Sequence, residues 1–287
     1  MAGNAGNAGN AGNAGNTGGV GAVAPGTGLV TLLPDRVDLP FVTVDHPPGT
    51  RIAGAILPLT AFPDSAWTAD WRAWSNLGQY TATAWAGITV AAWKQTDTDA
   101  EIPKLVEAAR DERADALGEI VAQNEEFASY FLQLLNIKPA NYPKTIQLID
   151  LASLVATFTV LHFKAGSATT YKPRPRPSQI CPALLPPVPI PGHPSYPSGH
   201  ATEAELIAIV LKHILSTQPA TITKPIATTL DALSWRIARN REIAGLHYPS
   251  DSDTGRTLAA DIHTLLAQIT AYTDALPLAQ AEWAWMT

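Results

Sequence analysis

Between Lys164 and Asp251, three short polar clusters interrupt sequence that is otherwise apolar and helix-length. The first is Tyr171-Lys172-Pro173-Arg174-Pro175-Arg176-Pro177. The second is Ser195-Tyr196-Pro197-Ser198-Gly199-His200, and the third is Arg241, His247 and Asp251 within RNREIAGLHYPSD. Each has an ordinary structural reading by itself: a proline-rich linker with solvated arginines, a helix cap, a salt-bridged helix junction. Together and in order they constrain the fold, because buried charges must be paired. The chain has to gather guanidiniums, an ammonium, a Ser-Gly-His turn and a His with a carboxylate.

Alternating proline holds the first cluster near polyproline II. Arg174 and Arg176 then diverge unless the segment bends, so one is expected to enter a pocket and the other to pair outside it. Arginine suits a multi-oxygen anion because its planar fork donates two parallel hydrogen bonds. In the second cluster Ser198 is a natural N-cap for the apolar run that follows. The first amides of that helix have no intrahelical acceptor and lie at its positive end. Gly199 lets an oxyanion approach the backbone closely, and His200 beside it could donate a proton to a leaving oxygen. In the third, Gly245 breaks one helix and Pro249 starts the next. Arg241 therefore ends a helix, His247 sits in the turn, and Asp251 falls in the following first turn. Asp251 can accept from one imidazole nitrogen, which sets the tautomer and leaves the other to attack or ligate. This is the set that a pocket for a tetrahedral or trigonal-bipyramidal oxyanion requires.

The rest reads as support. The triplet repeat of residues 1–16 and the Gly-rich run to Gly28 can bury no core, and a flexible low-complexity tail is expected over 1–28. Residues 29–287 are expected to form one domain. From Leu29 to about Pro63, prolines with Val30, Val37, Val42, Val44, Ile52 and Ile56 predict extended wrapping segments and a short hairpin, with His46 in an exposed turn. Trp67, Trp71 and Trp74, spaced four and three, predict a helix face packed in the core. Thr98 to Asn136 is a helical block, with Pro103 in its first turn and Gly118 as the candidate split. Its solvated face carries Glu107, Arg110, Asp111, Arg113 and Glu119. Thr145 to Lys164 is apolar nearly all round, hence central, with His162 packed inside. Further helices are predicted over Ser198–Leu215, about 225–244 and about 249–273, with Trp283 and Trp285 docking on the body. The fold class is mainly α, a bundle of five or more helices with an irregular, extended N-terminal part.

Composition narrows the functions. The formal net charge of -6 argues against general nucleic-acid binding, which needs a basic face. The single cysteine, Cys181, excludes an intrachain disulfide and a thiolate metal cluster. The longest apolar runs are interrupted by Asp150, Ser153, Glu203, Glu205 and Lys212. They fall short of the ~18–20 residues of a spanning helix, so no transmembrane segment is expected. No basic region followed by an apolar one marks a signal peptide. The expectation is a soluble chain, cytoplasmic, or exported if the N-terminus is truncated.

The three clusters resemble the signature of the type 2 phosphatidic acid phosphatase and vanadium-dependent haloperoxidase superfamily, which includes soluble bacterial acid phosphatases. That signature is Lys, six residues, Arg-Pro; then Pro-Ser-Gly-His; then Ser-Arg, five residues, His, three residues, Asp. Pro197–His200 carries the second motif, Arg241 through His247 to Asp251 the third, and Arg176-Pro177 the Arg-Pro. Two positions depart. Thr169 stands where the Lys is expected, leaving Lys172 or, by preference, Lys164 at the preceding helix end; and Asn240 replaces the Ser before Arg241. The resemblance implies that superfamily's helical bundle and a single oxyanion pocket. There His247, oriented by Asp251, attacks phosphorus to form a phosphohistidine, and His200 protonates the leaving alcohol. Arg176, Arg241, a Lys, Ser198 and the Gly199 amide hold the equatorial oxygens. Phosphomonoester hydrolysis of this kind needs no cofactor, and the run GLHYPSD favours it. In a haloperoxidase the same pocket holds vanadate on His247, with halide and peroxide as substrates. A catalytically impaired phosphate- or vanadate-binding protein is a third reading, kept open by the displaced Lys. Relatives of this kind are often homo-oligomers, and the Trp-rich N-terminal half could form such an interface.

Overall fold

The computed structural model describes residues 43–44, 52–53, 67–166 and 172–286. The expected tail over 1–28, His46 and Tyr171 lie outside the described residues, as do Val30, Val37, Val42 and Ile56. The chain divides into a unit over Gly19–Thr68 and a helical body that begins at Ala69. In the first unit, β1 (Thr43–Val44) and β2 (Ile52–Ala53) pair antiparallel with Val44 opposite Ile52, as their β-branched residues favour.

The body is built from α1 (Ala69–Thr81), α2 (Gln95–Asp111), α3 (Arg113–Glu125), α4 (Ala128–Leu134) and α5 (Pro143–Lys164). It continues with the single turn α6 (Pro177–Ile180), α7 (Gly199–Leu215), α8 (Ala220–Ile243), α9 (Pro249–Leu266) and α10 (Thr270–Ala281). The protein is mainly helical, as predicted. At its centre, α7 packs on α5, α8 and α9, while α1 and α10 cover α5. Apolar side chains on several faces force this arrangement: Leu206, Ile207, Val210, Leu211 and Ile214 of α7 are all fully buried. Each such side chain contributes roughly 1.5–3 kcal/mol by leaving water. By length and composition α5 could cross a membrane, contrary to the expectation from its polar interruptions. Yet 72% of its apolar window is buried within the protein, the environment of a core helix.

Several local expectations change. Helix α2 starts at Gln95, so Pro103 lies inside it rather than in its first turn. The block breaks at Glu112, and Gly118 is interior to α3. The last predicted helix splits in two between Leu266 and Thr270. Arg113 is not a solvated residue. Its guanidinium donates to the Ile243 carbonyl at the end of α8 (2.9 and 3.1 Å) and to that of Leu184 (2.6 Å). Trp67, Trp71 and Trp74 stay 48, 61 and 58% exposed. The core-facing stripe of α1 is instead the buried Ala73 and Tyr80 with the partly buried Ala69 and Leu77, which has the same helical spacing but smaller residues that let α1 approach α5 closely. Val106, Leu117, Val121 and Leu134 also remain exposed. At the C-terminus Trp283 docks against Tyr142 and donates to Thr145 Oγ1 (3.1 Å), while Trp285 stacks on it from outside. His162 packs its ring against Trp85 and Phe163.

Candidate functional site

The two C-terminal clusters are joined by two glycines. Helix α8 ends through Gly245, whose φ of +76° is the left-handed conformation glycine tolerates. The chain then turns through Leu246, His247 and Tyr248 into α9, where Asp251 reaches back to accept from the Tyr248 amide (3.1 Å). One turn on, a Cβ on Gly255 would lie 2.7 Å from the Ser198 carbonyl. Without one, α9 can press onto the start of α7, and the Ser198 amide donates to the Asp251 carbonyl (3.1 Å). Ser198 caps α7, its Oγ accepting from the Ala201 amide (3.4 Å).

Asp251 is fully buried. Its Oδ2 accepts from His247 Nδ1 (3.1 Å) and, in a short bond, from Ser195 Oγ; its Oδ1 accepts from Arg174 (2.6 Å). Burial alone would raise the Asp251 carboxyl. The hydrogen bond from His247, the Arg174 guanidinium and the hydrogen bond from Ser195 outweigh it and hold the group at about 2. A carboxylate only accepts, so His247 Nδ1 carries the hydrogen. The lone pair of His247 Nε2 then meets Arg176 Nη1 at 3.3 Å. Burial, followed by Arg176 and Lys164, pushes His247 well below the ordinary imidazole range against the pull of Asp251. The ring is neutral, with Nε2 as its basic atom.

Three buried cations belong to this cluster. Arg176 also donates to the carbonyls of Leu246 (2.9 Å) and His193 (3.1 Å) and to His193 Nδ1 (3.2 Å). Lys164, at the end of α5, donates to the carbonyls of Pro194 (2.7 Å) and Ser195 (2.9 Å). Arg241 donates to Asn124 Oδ1 (3.3 Å). Burial lowers all three; Arg176 falls to about 10 and Arg241 to about 9, and the charge of Arg176 further lowers Arg241 and Lys164. The one carboxylate among them, Asp251, is already shared with Arg174. Such a set is stabilised by an incoming anion.

His200 closes the cluster from α7. Its Nε2 lies 3.2 Å from the Gln123 carbonyl, an acceptor, so Nε2 carries the hydrogen and Nδ1 the lone pair. The ring packs on Phe127, and burial, then Arg241 and His247, push it well below its ordinary value. Gln123 is held in turn by Asn240, whose amide also reaches Glu119 (both 2.9 Å). Asn240 thus ties α8 to α3 where the motif has a serine.

The structure brings together His247, Asp251, Arg176 and Lys164, and couples Arg241 and His200 to the same charges. Gly199 and His200 supply amides from the turn of α7 that lacks intrahelical acceptors. The Ser198 hydroxyl serves as the cap described above. Lys172 is not brought in: it is exposed, and its carbonyl accepts from Trp93 Nε1 (2.7 Å). Arg174 is the arginine that pairs outside the cation cluster. Sequence reasoning placed Ser195 in the second cluster without a role, and did not single out His193, Thr98, Glu101, Gln123 or Asn124. His193 and Ser195 had a signal, being polar residues in the proline-rich run that leads into Pro197–His200. The others come from α2 and α3, far away in sequence, and had none. No known family model and no curated protein matches the chain.

Proposed function

We propose that this protein is a phosphoric monoester hydrolase with the bundle and chemistry of the type 2 phosphatidic acid phosphatase and haloperoxidase superfamily. The observation that carries the reading is the His247 tautomer, with Nδ1–H on Asp251 and the Nε2 lone pair turned to Arg176 among buried cations. A phosphoryl group entering there meets a nucleophile and its counter-charge at once. Arg176, Lys164 and Arg241 would take the non-bridging oxygens, with the Gly199 amide at the helix start. Nε2 attacks phosphorus, the bond to the ester oxygen breaks, and that oxygen takes a proton from His200. Water then gives a proton to His200 and attacks the phosphohistidine, releasing phosphate and restoring Nε2. His200 must be protonated for the first step. The bound dianion supplies the charge that offsets Arg241 and so raises His200 toward its working range.

The groups at this site act at depth: His247, Asp251, Arg176, Lys164, Arg241 and His200 are each at most 4% exposed. There, one fixed donor on a developing charge lowers the barrier by about 3–4 kcal/mol. Vanadate would fit the same donor set, with His247 Nε2 as its ligand, and would supply peroxide activation for halide oxidation. A paired assay separates the readings: hydrolysis of an aryl phosphate with and without orthovanadate, and peroxide-dependent bromination after vanadate loading. Hydrolysis blocked by vanadate, without bromination, is expected. Vanadate-dependent bromination would replace the phosphatase with a haloperoxidase. Vanadate binding with neither activity would leave a binding protein.

A further inference from the structure

Two buried arginines stand two positions apart in the proline-rich segment, and their contacts are separate. Successive residues of a polyproline II strand turn by about 120°, so positions i and i+2 cannot face one partner together. Arg176, at φ -74° and ψ 153°, reaches His247. Arg174 reaches behind it. Its Nη1 donates to Asp251 Oδ1 (2.6 Å) and Ser250 Oγ (2.7 Å), and its Nη2 to Thr98 Oγ1 (2.8 Å) and Glu101 Oε2 (3.1 Å). The guanidinium lies 3.7 Å from the centre of the Tyr248 ring. Glu101 of α2 also accepts from the Ser250 amide (2.9 Å) and hydroxyl (2.8 Å) at the start of α9.

We infer that Arg174 is a positioning residue for His247: it pins the Asp251 carboxylate by Oδ1 and takes up part of its charge, so that His247 is kept as the neutral Nε2 nucleophile. The inference rests on the hydrolase reading above for its consequence in catalysis. The contacts form a chain of alternating sign, Glu101, Arg174, Asp251, His247. Oδ2 of Asp251 already receives His247, Ser195 and the Tyr248 amide. Arg174 engages the other oxygen, which stops rotation of the carboxylate about its terminal bond. It also weakens the attraction of Asp251 for an imidazolium. The other groups around His247 are Arg176 and His193 from the loop segments, Lys164 on α5, Arg241 on α8 and His200 on α7. Arg176 and Lys164 oppose protonation of His247 directly, and Arg174 opposes it by sharing Asp251. Glu101 works in the reverse sense by drawing on Arg174. An imidazolium at His247 has no lone pair to attack with, so the outer arginine governs whether the inner site holds a nucleophile.

The test is nitrogen-15 NMR of the imidazoles across a pH series, on the full chain, for wild type, Arg174→Gln, Arg174→Lys and the double variant Glu101→Gln/Arg174→Gln. The double variant removes both members of the buried pair and is read if the single one does not fold. In wild type, His247 is expected to remain the Nδ1–H tautomer well into the acid range. Arg174→Gln is expected to raise its proton affinity roughly tenfold, with Arg174→Lys in between. On an aryl phosphate, kcat should fall and the acid limb of the profile move to higher pH, with KM little changed. An unshifted His247 titration in folded Arg174→Gln or the double variant overturns the inference. So does a rise in KM at constant kcat, which would make Arg174 an anion ligand. A wild type that hydrolyses nothing counts against the hydrolase reading alone, because the imidazole titration needs no turnover.

Discussion

Two sets of buried ionisable groups are built on the same pair of helices and behave in opposite ways. At the end of α5 and the start of α7, Lys164 and His200 join Arg174, Arg176, Arg241, His247 and Asp251. Elsewhere on those helices, Asp150 of α5 and Glu203 of α7 are buried together within reach of Glu126, and Asp150 also feels Asp70. In the first set, partners outweigh burial at Asp251, which is held at about 2. In the second, burial and the neighbouring carboxylates act together. Asp150 is pushed up to about 7, and Glu203 well above the usual carboxylate range. Depth is common to both, so depth does not make a charged site. Arranged counter-charge does, and in the second set both carboxyls hold their protons to higher pH than usual.

The largest expected effect breaks the first set at its reacting atom. His247→Ala should lower aryl phosphate hydrolysis at least about a thousandfold, while circular dichroism shows the helices intact. A folded variant with wild-type turnover would remove His247 from the site.

Asp251→Asn strikes the counter-charge itself and leaves Arg174 buried against a neutral amide. Denaturant unfolding should show a loss of about 3–5 kcal/mol. The sign with pH follows from a folded value depressed below the ordinary 3.8. The stabilisation from Asp251 is complete above 3.8 and is lost as pH falls toward about 2. In Asp251→Asn that acid-side loss should be absent.

Asp150→Asn sharpens the contrast, because its sign is reversed. The folded state keeps a proton that the unfolded chain gives up, so wild-type stability should fall as pH rises from 3.8 to about 7. The gap corresponds to about 4 kcal/mol as an upper bound. Thermal melts across that range should be flatter in Asp150→Asn, and the variant more stable at neutral pH. Equal slopes would mean that Asp150 is ionised in the fold.

The smallest effect comes through the backbone. Gly255→Ala puts a methyl group against the Ser198 carbonyl. It should cost about 1–3 kcal/mol as overpacking, and it should lower turnover more than the same change at Gly118, where a Cβ meets nothing within 4 Å.

Much of the frame was legible because its signals are local. Ser198 as a cap, Pro249 as a helix start and Gly245 as a break all act within a turn of their own positions, and each is where the pattern put it. Apolar period alone was less reliable. Trp67, Trp71 and Trp74 have the spacing of a buried face, but Ala73, Leu77 and Tyr80 share that spacing one step round the helix, and the smaller set was buried. Spacing likewise left Lys164 and Lys172 as alternatives. The structure separates them: one ammonium is buried on two carbonyls, and the other side chain is exposed.

The sequence by itself determined the helical class, the main breaks and the chemical groups that the three clusters contribute. These depend on backbone preference and side-chain type, which need no knowledge of distant neighbours. Only the tertiary structure decided which arginine meets His247 and which holds Asp251. It also decided which carboxyls are ionised at depth and which are neutral. Arg174 lies 76 positions from Thr98 and 77 from Asp251. Partners so far apart are chosen by how α2, the proline-rich segment and α9 pack together, and in a medium of low polarity that choice sets the charge each group carries.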